Sequence, residues 1–398
     1  MKVPSTLLLL SLLLPGADAA EHRPFGRMDV FQLEWISDPQ ISPDGDRIIF
    51  VRNGMDVMTD GTIARLWIVA TDGSGARPLT GRDEDESNPI WSPDGSRVAF
   101  TSKTDDGSEI FVSWVDEGRT TRLTRLDQSP SGLAWSPDGT RLAFSALVPE
   151  DPPVLVTPPK QPTGAEWPDA PRVTTRLYYE RDGSGYIEPG YAHFFVIPAL
   201  GGAPRRVTSG NFQHSGRPAW SAAGDALIFS GNRNPDWERN FVNSEIYRVS
   251  VETGETVALT DRNGPDAEPA VSPDGRHIAW VSFEDKVQTY QVATLHVMDA
   301  DGRNKRELTA ELDRSVSGVH WQGNRIWFQY DDMGDTRIAY ATLDGRIKNV
   351  ATGLGGTTIG RPYGGGSFTV SRNGTVAYTH VTPYRPAELA VVGPGAPR

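Results

Sequence analysis

Four carboxylates occupy one repeated phrase. Asp44 lies in "ISPDGDRIIF" (41–50), Asp94 in "WSPDGSRVAF" (91–100), Asp138 in "WSPDGTRLAF" (135–144) and Asp274 in "VSPDGRHIAW" (271–280). Carboxylates gathered from several positions can ligate a hard cation or divide acid and base roles between them. The phrase itself supplies a simpler chemistry. Pro fixes φ, Asp bonds back to the backbone and Gly accepts positive φ, so Ser-Pro-Asp-Gly is a tight turn. It stands each time between two short apolar runs, which assigns these Asp residues to turns. The Trp residues before the turns (Trp91, Trp135, Trp220, Trp321) are assigned to packing between repeats.

Other residue types that do chemistry are scattered. The seven His (His22, His193, His214, His277, His296, His320, His380) form no His-x-His or His-x3-His pair, so no local metal site is expected. No Gly-x-Ser-x-Gly pentapeptide is present, so the nucleophile elbow of an α/β-hydrolase is missing. "DGSGA" (72–76) and "DGSGY" (182–186) put Ser between glycines without that spacing and read as hairpin turns. The acidic run "GRDEDESNP" (81–89) lacks the alternating ligands and fixed Gly of a calcium loop. "DADGRN" (299–304) is a hairpin turn, and Asn373-Gly-Thr375 matches a glycosylation sequon inside a turn. No catalytic, metal or cofactor residue is assigned.

The elements that position these residues repeat. Ser42, Ser92, Ser136 and Ser272 anchor the full turns; "WSAAGDALIF" (220–229), "VHWQGNRIWF" (319–328) and "VSRNGTVAY" (370–378) are decayed copies, giving seven anchors. Most spacings are 44 to 51 residues, with one gap of 85 between Ser136 and Ser221. After each turn comes a strand such as "RVAFT", then one such as "EIFVSW" (109–114), then a hairpin and a strand ending in Leu-Thr, as in "TRLT" (121–124). Four antiparallel strands per period of this length is one propeller blade. The chain is therefore expected to be all-β, a seven-bladed β-propeller of four-stranded antiparallel blades over 41–392, with an insertion at 148–192 in the third blade.

Composition bounds the rest. A net charge of −12, from 51 acidic and 39 basic residues, argues against a nucleic-acid partner. With no Cys there is no disulfide, thiolate nucleophile or zinc–sulfur site. Lys2, the apolar "LLLLSLLL" (7–14) and "ADA" (17–19) read as an export signal over 1–19, too short to span a bilayer, so a periplasmic or secreted protein is expected. Residues 20–40 form a lead-in. The end "LAVVGPGAPR" (389–398) parallels "VIPALGGAPRRVT" (196–208), so 393–398 reads as the turn of a last blade that stops where its fourth strand would begin. That leaves an unpaired edge, which the lead-in can fill by circular closure.

These phrases resemble the PD40, or WD40-like, propeller repeats of the TolB family and of the S9 prolyl-oligopeptidase superfamily. "RLYYERDGSGYIEPGYAHFFVIPALGGAPRRVTSG" (176–210) and "DVFQLEWISDPQISPDG" (29–45) are similar to segments of S9 peptidases of the acylaminoacyl-peptidase and dipeptidyl-peptidase-5 type. The resemblance implies a propeller that admits peptides to a following α/β-hydrolase domain carrying a Ser–Asp–His triad. No triad residue of that domain can be placed on this chain.

The insertion is Pro-rich at first ("PEDPPVLVTPPKQP") and then aromatic and charged. Tyr179, Glu180, Arg181, Asp182 and Tyr186 are the candidate substrate-binding residues. They can face a tunnel mouth or another domain, and Glu180 or Arg181 can hold a peptide terminus by a charge-assisted bond; a solvated loop is the alternative. The chain alone is expected to be non-catalytic and monomeric, without cofactor, gating or docking a peptide or an α/β-hydrolase domain. A standalone TolB-like interaction scaffold is the alternative, and a carbohydrate-active propeller lyase the third reading.

Overall fold

The computed structural model describes residues 24–151, 154–157, 159–168, 172–358 and 365–393. Seven antiparallel sheets follow one another at 35–78, 86–122, 131–206, 219–258, 266–307, 316–351 and 368–392. Six have four strands and the seventh has three among the described residues. The first strand of each blade touches the first strands of both neighbours, and the seventh touches the first. These strands are therefore innermost and the ring is closed. The expected seven-bladed propeller is what the chain forms.

The repeated phrase builds the same turn each time. Ser92 Oγ donates to Asp94 Oδ1 (2.5 Å) and accepts from the Arg97 amide (2.9 Å), while the Ser96 amide donates to Asp94 (3.1 Å). Ser42, Ser136 and Ser272 repeat this pattern. In the decayed copy Ser221-Ala-Ala-Gly-Asp225 the carboxylate has moved two places on, and Ser221 Oγ donates to Asp225 instead (2.6 Å). The Asp residues thus satisfy turn amides, as their position between strands requires.

Trp and Arg staple the blades together. Trp91, Trp135 and Trp220 each donate Nε1–H to an inner-strand carbonyl of the preceding blade, at 2.8, 3.2 and 3.0 Å. The Arg that follows the preceding blade's turn lies over the same ring: Arg47 on Trp91, Arg97 on Trp135, Arg141 on Trp220. Those guanidiniums also donate to the next turn's glycine carbonyl, at Gly95, Gly139 and Gly224. His277 holds the Arg position in the fifth blade and stacks on Trp321. The three Trp–Arg staples each join apolar area, a cation–π contact and hydrogen bonds.

Apolar side chains fill seven seams, one between each pair of neighbouring blades. The seam that closes the ring is the thinnest, with Ala377 of the last blade against Ile41, Ile48, Phe50 and Val69 of the first. Polar contacts supplement it. Thr369 Oγ1 accepts from the Ile41 amide and donates to the Pro39 carbonyl, and Asn373 Nδ2 donates to the Asp44 carbonyl (3.1 Å). Gly45 is required there: at φ +89° a Cβ would lie 2.7 Å from Asn373 Nδ2.

The described part of the lead-in, 24–40, does not complete the last sheet. It forms a short 3-10 turn at Arg27–Gln32 and then enters the inner strand of blade 1 at Trp35, within the 20–40 segment. Among the described residues nothing pairs with the outer side of Arg385–Val392. Residues 1–19, the expected export signal, and 394–398 of the final turn lie outside the described residues. No helix among the described residues is long and apolar enough to cross a membrane.

Candidate functional site

The two ends of the ring differ. Inner strands meet second strands through the Ser-Pro-Asp-Gly turns, which places all of these on one face. The connections from second to third strands, including the long one between Pro149 and Gly190, lie on the other. Large exposed apolar side chains collect on this insertion face. Met58, Phe241, Val287, Tyr290, Met333 and Tyr384 come from connections of five blades, and the third blade adds its insertion. Phe25 and Met28 of the lead-in, Ile63 within a strand, and Leu200, Val257 and Val391 lie outside these connections.

The insertion leaves blade 3 after Pro149 and returns at Gly190. Within it Glu180–Arg181 pairs with Gly185–Tyr186 in a two-stranded hairpin. The adjoining 232–244 connection braces it: Tyr178 meets Phe241 edge-on at 6.2 Å and Tyr191 meets Trp237 at 6.5 Å. Arg176 covers Tyr191, pairs with Glu150 and donates to the Gly190 carbonyl. The insertion borders a half-open hollow of about 1270 Å³, walled by residues such as Val156, Trp167, Val173, Tyr178 and Ile187.

Of the five candidate residues, Tyr179 and Tyr186 wall this cavity, with their rings 6.4 Å apart and Arg172 over Tyr186. Glu180, Arg181 and Asp182 are exposed on the hairpin and do not wall it. The structure therefore separates the aromatic pair from the charged tip.

A second set of residues was not singled out by sequence reasoning. Four residues before each turn anchor, every blade places one residue on or beside its inner strand: Asp38, Asn88, Gly132, Arg217, Glu268, Gly318 and Ser367. Five of these have left-handed backbones, with φ of 48°, 53°, 63°, 53° and 67° at Asp38, Asn88, Gly132, Glu268 and Gly318. Each sits at a register shift of the inner strand, a β-bulge. Gly132 has no room for a side chain, since a Cβ would fall 2.0 Å from the Gly216 carbonyl oxygen. The missed signal is an X-Pro pair: Asp38-Pro39, Asn88-Pro89, Arg217-Pro218 and Glu268-Pro269 all keep one distance to the following Ser.

Two of these residues, Asp38 and Arg217, act on each other across the axis. Burial raises the Asp38 carboxyl, and Arg217, three blades away, opposes that shift. Arg217 also acts on His320 of the sixth blade, which burial chiefly holds down at about 4. Residues of blades 1, 4 and 6 are not ring neighbours, so they interact only across the channel. Glu268 Oε2 accepts the Val319 amide (3.1 Å), and Gln40 donates to Asp38 (2.6 Å).

Buried polar groups elsewhere act as latches between strands. Thr124 Oγ1 accepts the Ile110 amide and donates to Glu109, which also takes the Leu126 amide and Arg122. Thr260 repeats this with Ile246 and Glu245. Burial, with Asp266 adding to it, pushes the Glu245 carboxyl up to about 7. His214 stacks on His193 at 5.1 Å and meets Arg233. Burial first, then neighbouring arginines, hold His193 at about 4, His214 at about 3 and His296 at about 4, so these imidazoles are neutral. Among the described residues no three His, Asp or Glu side chains gather to hold a metal.

Residues 166–288 match the family model described as the dipeptidyl peptidase IV (DPP IV) N-terminal region. Over 347 residues the chain is 28% identical to dipeptidyl-peptidase 5 of Porphyromonas gingivalis, covering 81% of this chain and 48% of that protein. The acylaminoacyl peptidase of Pyrococcus horikoshii superposes with a TM-score of 0.68 at 17% identity, over 91% of this chain and 52% of that one. The β-propeller domain of the Trilobed protease from Pyrococcus furiosus, described as having an open velcro topology, gives 0.62 at 17% identity, over 91% and 96%. The chain spans about half the length, or less, of the curated relatives it matches. It is similar to the propeller portions of these peptidases.

Proposed function

We propose that this chain is a non-catalytic propeller that docks an S9-type α/β-hydrolase domain on its insertion face and gates the peptides reaching it. The gathering of exposed apolar side chains on that face carries the reading. Exposed apolar side chains concentrated at one end of a molecule mark that end for interaction. Here they come from connections of five blades and the third-blade insertion, while the turn face exposes Leu200. The similarity to peptidases about twice its length supports a hydrolase as the partner. We place the complex outside the cytoplasm, from the signal-like residues 1–19.

The test supplies the hydrolase in trans, using the part of Porphyromonas gingivalis dipeptidyl-peptidase 5 outside the aligned region. A one-to-one complex on size exclusion, cleaving short peptides but sparing a folded substrate, is expected. Combined Phe241→Ser, Tyr290→Ser and Met333→Ser should abolish it. Absence of a complex, or one indifferent to these changes, contradicts the proposal. Mass spectrometry of the exported chain tests location: loss of the first nineteen or so residues is expected, and an intact N-terminus contradicts it.

A further inference from the structure

The axial collar makes an offer to a ligand that the fold does not require. Gly132, Gly318 and Ser367 show that the equivalent position works with a small residue. Yet Asp38, Asn88 and Glu268 hold left-handed backbones with full side chains, each directly before a proline. Asp and Asn adopt that region more readily than other side chains, whereas Glu268 is strained there, and strain held among polar residues points to function. Arg217 has no hydrogen-bond or ion-pair partner among the described residues. Asn88 and Glu268 are exposed although they stand on innermost strands, which places them against water in the channel.

The charges run in both signs around one ring. Asp38 and Asn88 come from adjacent blades on one side, Arg217 and Glu268 from adjacent blades on the other. A simple anion at Arg217 meets two carboxylates; a simple cation at those carboxylates meets Arg217. A ligand bearing both charges satisfies the ring, and an amide N–H between them can donate to Asn88 Oδ1, since Asn88 Nδ2 already donates to Thr101 Oγ1 (2.9 Å) and Ser87 Oγ (3.2 Å). We infer that this collar binds short zwitterionic peptides inside the axial channel, with the terminal carboxylate on Arg217 and the terminal ammonium on Asp38 and Glu268. The inference rests on the peptide-gating reading and names the residues and the end groups that it would recognise.

Calorimetric titration of the isolated chain with free trialanine, N-acetyl-trialanine and trialanine amide tests it. Free trialanine binds, and each blocked form binds about tenfold or more weakly, as loss of a charge-assisted bond requires. Arg217→Gln loses affinity for the free peptide and no longer separates acid from amide. Asp38→Asn with Glu268→Gln no longer separates free from acetylated peptide. Asp38→Gly, which the left-handed backbone accommodates, stays folded and still binds more weakly. Equal binding of all three peptides, no binding of any, or an unaltered Arg217→Gln variant overturns the inference. Complex formation with a hydrolase is not read in this titration, so failure of the docking proposal and failure of the collar are separate results.

Discussion

The Leu-Thr that ends a blade is a hydrogen-bond hub as well as a packing position. Thr124 is buried and serves both the Ile110 amide and the Glu109 carboxylate. Thr124→Val keeps the shape and strands both partners, so it should cost about 1–3 kcal/mol in urea unfolding. A loss below a few tenths would show that water replaces the hydroxyl. The titrating groups pull in opposite directions. Glu245 binds its proton more tightly folded than unfolded, so its stabilising contribution is complete below about pH 4.5 and is lost as pH rises to about 7. His193, His214, His296 and His320 are held neutral, so the unfolded chain takes up their protons first. Their contribution is lost as pH falls from about 6.5 toward 4 and below. Four histidines outweigh the carboxyls that burial raises, Glu245 with Glu86 and Asp38, so the melting temperature should fall on acidification across this window. Glu245→Gln should steepen that fall by removing one opposing carboxyl, while Glu86 and Asp38, which burial also raises, remain. A melting temperature that rises from pH 6.5 to 4.5 would contradict the buried neutral imidazoles.

At the scale of strands, what the sequence displays depends on whether one residue type does one job. The Ser-Pro-Asp-Gly turn was legible because its four residues specify one local geometry, and Asp44, Asp94, Asp138 and Asp274 all sit in it as expected. The Trp residues read as packing are packed between blades, although their pairing with the Arg after the preceding turn joins residues 38 to 79 positions apart and needs the ring to be seen. The collar was not legible, since its side chains vary from Asp to Arg to Gly while the bulge that aims them is a backbone feature. The insertion was visible as a Pro-rich excursion, but which of its residues wall a cavity depended on the 232–244 connection of another blade that braces it. The staple makes its own prediction. Arg97→Ala removes the cation–π contact with Trp135 and the bond to the Gly139 carbonyl, and should destabilise the chain by about 1–2 kcal/mol. Arg97→Lys should recover only part of this, because a point charge does not reproduce the planar stack. Full recovery by Lys would mean that charge alone holds the blades.

The whole ring closes without a shared sheet among the described residues. The seam between blades 7 and 1 relies on five buried apolar side chains and a few hydrogen bonds from Thr369 and Asn373. It should open first, so hydrogen exchange at Ile41, Ala377 and Tyr378 should outpace exchange at the equivalent strands of blades 2 and 3. Uniform protection around the ring would show that closure is as strong as any other seam. Opening there would also loosen the insertion face, whose connections come from separate blades and are aligned only while the ring is shut. That face is the centre of the functional account, and the two ends of the propeller control for each other. Hydroxyl-radical footprinting of the chain alone and mixed with the hydrolase domain reads both ends in one experiment. Phe241, Tyr290, Met333 and Tyr384 should lose reactivity on mixing while Leu200 on the turn face keeps it. Protection of Leu200 with unchanged Met333 and Tyr384 would place the partner on the wrong end and contradict the account.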